Sequence, residues 1–160
     1  MEVKFKFLKM EHGHINMENI RFRSARGTDS DIFKLCSTIR QKVFIEEQGY
    51  SEEFDDIDNF AYHVLMYVND KPVACGRIFE DPNAAGEYIL GRICVESNAR
   101  GQGFGSILVL GIESVIDAPV YKLHAQEDKK DFYVKCGYRL MSEDIDLDEG
   151  VPHVWMIKES

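Results

Sequence analysis

No apolar run in this sequence approaches the length of a membrane span, and lysines interrupt the apolar residues of its opening stretch, MEVKFKFLKM. Neither a membrane helix nor a signal-peptide core is therefore expected. Cysteine is sparse. Cys36, Cys75, Cys94 and Cys136 are far apart and lack metal-ligand spacing, so they read as free thiols in a reducing cytoplasm, with no metal bound. A basic surplus is missing too: the formal net charge is −9, which argues against a general nucleic-acid surface and suits a cationic partner such as an amine. Internal repeats and long linkers are absent, as is any Ser/His/Asp or Cys/His grouping by local spacing. What is present is ordinary for a globular chain. With 160 residues, 44% hydrophobic and 29% charged, it can build one domain around a single sizeable core.

The stretch that organises the rest is Tyr88–Ile116, YILGRICVESNARGQGFGSILVLGIESVI. Tyr88–Val95 reads as a buried strand and Glu96–Phe104 as a glycine-rich turn. Gly105–Ile116 reads as a helix with Ile107, Leu108, Ile112, Val115 and Ile116 on one face. Strand, glycine loop and helix N-terminus together gather free backbone N–H groups around one point, a cradle for a diphosphate. A Walker A loop is excluded because Gly-Lys-Ser/Thr is absent. A dinucleotide fingerprint fits poorly, since the acidic partner expected about 20 residues further on would fall near Val120 and Tyr121.

Around this stretch the chain divides simply. Residues 1–16 form an extension or an extra strand, with Val3, Phe5 and Phe7 alternating with lysines, and His12-Gly13-His14 lacks a third metal ligand. Residues 17–160 are expected to be one domain. Ile20–Ser24 should be a strand, Thr28–Asp31 a cap, and Ile32–Phe44 an amphipathic helix closed near Gly49. Glu46–Asp58 is strongly acidic and reads as a loop or short helices, either solvated or rimming an amine site. Two strands, Ala61–Val68 and Val73–Glu80, flank a hairpin turn. Val120–Ala125 is a strand, Glu127–Cys136 a helix stopped by Gly137, and Tyr138–Met141 and Val151–Ile157 are the last strands. Gly111 should cost its helix about 1 kcal/mol relative to Ala unless packing needs it.

Two motifs carry a resemblance. Arg100-Gly101-Gln102-Gly103-Phe104-Gly105 fits Arg/Gln-x-x-Gly-x-Gly/Ala, and Phe132-Tyr133-Val134-Lys135-Cys136-Gly137-Tyr138, starting 27 residues after Gly105, fits Phe-Tyr-x-x-x-Gly-Phe/Tyr. Both resemble the GCN5-related N-acetyltransferase superfamily. Arg40–Gln48 with Asp55, Asp58 and His63, His124-Ala125-Gln126, and Gly150–His153 resemble its bacterial ElaA/YjcF-like subgroup. A weaker likeness runs to acyl-homoserine-lactone synthases. The resemblance covers about Ile20–Lys158 and implies a mixed α/β fold. It implies a central, mostly antiparallel twisted sheet of about six to seven strands flanked by about four helices. The order is strand, two helices, three strands, helix, strand, helix, two strands.

The resemblance also implies the chemistry: transfer of an acetyl group from acetyl-coenzyme A to a small-molecule or peptide amine, directly and in a ternary complex. Arg100, Gly101, Gln102, Gly103, Phe104, Gly105 and Ser106 would cradle the diphosphate, the backbone of Ile93, Cys94 and Val95 would pair with the pantetheine arm, and Gln126 stands where many members carry Asn. Tyr133 takes the general-acid position. Glu47, His63, Arg77, His124 and His153 are candidates for the acceptor pocket, with Glu47 and the three histidines also candidate bases. A non-catalytic coenzyme A-sensing module and an enzyme using another acyl donor stay open as alternatives. A cytoplasmic monomer or homodimer is expected, with neither nucleic acid nor membrane as partner.

Overall fold

The computed structural model describes residues 2–11, 14–51 and 53–159, so His12, Gly13 and Glu52 lie outside the described residues. A hairpin of β1 (Glu2–Glu11) and β2 (His14–Arg26) opens the chain, in register from Glu2↔Arg23 to Glu11↔His14. The alternating N-terminal stretch is thus a strand, and β2 runs through the boundary expected between residues 16 and 17.

Next comes α1 (Asp31–Arg40), capped by Ser30, whose hydroxyl accepts from the Phe33 amide at 3.0 Å. Such a cap satisfies one of the helix's orphan donors and is worth about 1 kcal/mol. Ile32, Cys36 and Ile39 form its buried stripe. The second helix expected after it is instead a π-helical continuation over Gln41–Glu47, followed by a short 3₁₀ turn at Asp56–Asn59.

β3 (Tyr62–Val68) and β4 (Lys71–Glu80) follow, joined by Asn69-Asp70. Both linking residues have positive φ, +51° and +67°, the geometry of a two-residue turn whose twist matches that of its strands. β5 (Glu87–Val95), α2 (Phe104–Glu113), β6 (Val120–Gln126) and α3 (Lys130–Lys135) come next. The chain ends with β7 (Arg139–Leu140), β8 (Asp146–Asp148) and β9 (Val151–Glu159).

The described strands make one nine-stranded sheet in the order β1-β2-β3-β4-β5-β6-β9-β7, with β8 also paired to β9. That exceeds the six to seven strands expected, through β1 and β8, while α-helices among the described residues number three. Every pairing is antiparallel except β5 with β6.

Period-two alternation explains the two-sided core. On β3, Val64 and Met66 join Leu108 and Ile112 of α2 on one face, while Leu65 and Tyr67 join Ile32, Cys36 and Ile39 of α1 on the other. Both faces are covered, so β3 from His63 to Val68 is buried throughout. No helix among the described residues is long and apolar enough to cross a membrane.

Candidate active site

β5 and β6 are paired only from Glu87↔Val120 to Leu90↔Leu123. Beyond Leu90 no ladder joins them, and the gap between the parting strands opens two cavities. A bulge helps to part them. The β4–β5 register runs Cys75↔Cys94 and then Arg77↔Gly91, so two residues of β5 face Gly76 alone. Arg92, inside the bulge, sits at φ +51°, a strained conformation for a residue with a side chain.

The first cavity, about 1030 Å³, is lined by Ile93, Cys94 and Val95, by Arg100, Gly101, Gly103, Phe104 and Gly105, and by Phe132 and Tyr133. The glycine loop forms its floor. Gly103 precedes α2 at φ +83° with no side-chain cap, and a Cβ built there or at Gly101 would have nothing within 4 Å. The α2 N-terminus therefore presents uncapped amides to open space, which fits an anionic diphosphate. Arg100 is turned back to the protein: its Nε donates to the Val95 carbonyl at 2.9 Å and its guanidinium pairs with Glu47 at 2.8 Å. Ser106 bonds the Gly103 carbonyl at 3.3 Å.

The second cavity, about 760 Å³, lies where β6, β8 and β9 meet the loop after α1. Gln48, Tyr50, Glu53, Arg92, His124, Gln126, Asp148, Glu149 and His153 are among its lining residues. Gln48, Ile93, Lys129 and Tyr133 line both cavities, so the two open onto one another there. Tyr133 is 8% exposed, and among the described residues no side chain hydrogen-bonds its hydroxyl. Burial, then the neighbouring Cys136 and Cys94, push the phenol well above its ordinary range, so it holds its proton at neutral pH. Gln126 donates to Gln48 at 2.8 Å, which ties β6 to the loop after α1.

The histidines separate sharply. His124 stacks on Trp155 at 4.6 Å between ring centroids, lies 4.8 Å from His153, and places Nε2 3.2 Å from Asp146. Burial, and then the proximity of His153, lowers its pKa. His153 donates from Nδ1 to the Val151 carbonyl at 2.8 Å. His63 lines neither cavity: it is fully buried, bonded through Nε2 to the Asp58 carbonyl at 2.9 Å, with Phe33 edge-on at 4.7 Å.

Arg77 belongs to the same interior. It meets Asp55 at 2.6 Å and Asp58 at 2.8 Å. Arg40 bonds both Glu53 oxygens at 2.9 Å and Asp58 at 2.9 and 3.1 Å, and Arg92 reaches Glu53 at 2.8 Å and Asp55 at 3.3 Å. Three guanidiniums thus neutralise three carboxylates.

Burial works against the Asp58 carboxylate, yet Arg40 and then Arg77 outweigh it and hold its pKa below the usual range. At Glu53 burial wins and the shift is upward. The part of the acidic run that ends at Asp58 is therefore packed at Glu53 and Asp58, where the sequence suggested a solvated or amine-facing loop. Arg92 carried no site signal in the sequence, and Arg40 and Glu53 carried one only within longer stretches, because the residues they pair with are 13 to 39 positions away.

The sequence profile described as Acetyltransferase (GNAT) domain matches residues 31–160. The chain is similar to the uncharacterized protein YyaT of Bacillus subtilis (strain 168), 37% identical over 140 residues, which is 82% of this chain and 91% of the relative. It is also similar to the uncharacterized N-acetyltransferase YjcF of the same organism, 36% identical over 126 residues, or 76% of this chain and 88% of that one. Among solved structures, Escherichia coli ElaA shares the fold, with a TM-score of 0.75 at 24% identity, covering 88% of this chain and 99% of that one.

Proposed function

We propose, from the premise that this chain belongs to the GNAT acetyltransferase family and most resembles its ElaA/YjcF-like subgroup, that it moves an acetyl group from acetyl-coenzyme A to a primary amine by direct transfer in a ternary complex. The observation that carries this reading is the position of Tyr133, shared by both cavities. One cavity has the floor for a diphosphate and the other has a polar lining for an amine. A proton donor at their junction is what a departing thiolate needs.

When bound, the thioester supplies an activated acyl carbon and a thiolate leaving group. The amides of Gly101, Gly103 and Gly105 would hold the diphosphate. Ile93–Val95, free of a ladder on the β6 side, would take up the pantetheine arm as an added strand and aim one N–H at the carbonyl oxygen. A preorganised donor of that kind is typically worth ~10²–10³ in rate. Tyr133 Oη would give its proton to sulfur. The raised pKa of this phenol supports the role, since it keeps the proton available until a stronger base forms beside it.

Thermal denaturation with and without acetyl-coenzyme A tests the reading. Ligand at 100 times its Kd should add ~2.7 kcal/mol of stability. Gly103→Glu, which brings a carboxylate into the cradle, should remove the shift. A shift that survives Gly103→Glu would mean the loop does not bind the diphosphate.

A further inference from the structure

We propose that Nε2 of His153 is the atom that takes the proton from the acceptor amine; this rests on the N-acetyltransferase reading above. The Nδ1–H bond to the Val151 carbonyl fixes the neutral tautomer and leaves the Nε2 lone pair pointing away from its own strand. The ring is 6% exposed and lines the acceptor-side cavity. No group among the described residues bonds Nε2. Among the described residues, the buried side-chain nitrogens that lack partners are His63 Nδ1 and Arg77 Nε, so His153 Nε2, on a residue that lines the cavity, is not sealed off.

The other candidate bases are differently placed. Glu47 is paired with Arg100, and His63 is 0% exposed and lines neither cavity. His124 also lines the cavity but spends Nε2 on Asp146 and is stacked on Trp155. Asp146 is the direct cross-strand partner of His153 and also bonds His124, so its carboxylate serves the whole imidazole pair once a proton arrives. The titratable and charged groups around the ring are His124 on β6, Asp146 and Asp148 on β8, Glu149 just after it, and, across the cavity, Glu53, Arg92 and Lys129.

The protons balance. An alkylammonium loses two on becoming an amide, and both leave through His153 Nε2 in turn. The N–C bond forms and the C–S bond breaks. Tyr133 protonates the sulfur and is itself reprotonated from solvent, so one net proton is released per transfer.

Nitrogen-15 NMR of the cofactor-free protein at neutral pH should find His153 protonated on Nδ1 and bare on Nε2. A proton on Nε2 would overturn the proposal without any turnover measurement. In assays of thiol release with acetyl-coenzyme A over a panel of primary amines, His153→Gln should retain the full cofactor thermal shift and lose ~10²–10⁴ in kcat/KM. His124→Gln should cost less. Unchanged turnover in His153→Gln, or a larger loss in His124→Gln, would overturn the assignment. Absence of a cofactor shift in the wild type would sink the acetyltransferase reading instead.

Discussion

On the α1 side of β5, Arg40, Arg77 and Arg92 meet Glu53, Asp55 and Asp58 at hydrogen-bond distance. Towards β6, the same strand has no ladder partner past Leu90, and Gly101 and Gly103 below it face open space. One region is dense with paired charges, with Arg77 Nε left over, and the other leaves the α2 N-terminus without a side-chain cap. The link between them is Arg92. Its positive φ lies in the bulge that parts β5 from β6, and its guanidinium is anchored in the cluster. A strained residue of this kind costs ~1–3 kcal/mol and persists only where its surroundings hold it. The charge-paired side thus keeps the open side open.

The sharpest way to break that relation is Asp58→Ala, which leaves Glu53 as the carboxylate partner of Arg40 and Asp55 as that of Arg77, two carboxylates for three guanidiniums. Removing one partner from a buried ion cluster typically costs ~3–5 kcal/mol, because the remaining charges stay desolvated. Denaturant unfolding of the cofactor-free protein should show a loss of that size. A loss below ~1 kcal/mol would mean that water reaches the cluster and that it behaves as a surface network.

Tyr133→Phe probes the open side alone. Its hydroxyl has no side-chain partner among the described residues, so stability and the acetyl-coenzyme A thermal shift should hold while transfer to an accepted amine slows by ~10²–10⁴. A thermal shift reduced along with the rate would assign Tyr133 to cofactor packing rather than to proton delivery.

The open side was the more legible in the sequence, for a physical reason. A cradle of backbone amides is built by consecutive residues, so Arg100–Gly105 shows it directly, and Phe132–Tyr138 places Tyr133 on the helix after β6. The cluster is assembled from residues that the chain brings together from four elements. Its acidic members read as a solvated run or the rim of an amine site, because Arg40 and Arg77, which neutralise them, lie far off in the sequence. β8 escaped for a related reason: Asp146-Leu147-Asp148 lies in an acidic stretch with no apolar face, and only its pairing with β9 makes it a strand. The tautomer of His153 likewise depends on the carbonyl of Val151, two residues back at the start of β9.

The glycines give the smallest and finest test. Gly103 and Gly111 flank the first turns of one helix, and the sequence suggested a cost of about 1 kcal/mol for the second unless packing demanded it. Packing does: a Cβ at Gly111 would come within 2.2 Å of the Phe22 ring, on the β2 side of the core. The helix-propensity gain from Gly111→Ala is therefore overwhelmed by displacement of Phe22, and overpacking of that kind costs ~1–3 kcal/mol. At Gly103 the added methyl meets no atom within 4 Å, so the same substitution there is opposed only by its positive φ. Gly111→Ala should lower the unfolding free energy more than Gly103→Ala does, yet leave the acetyl-coenzyme A shift intact, while Gly103→Ala should weaken that shift. The reverse pattern would mean that α2 is positioned by the loop before it and not by its contact with β2.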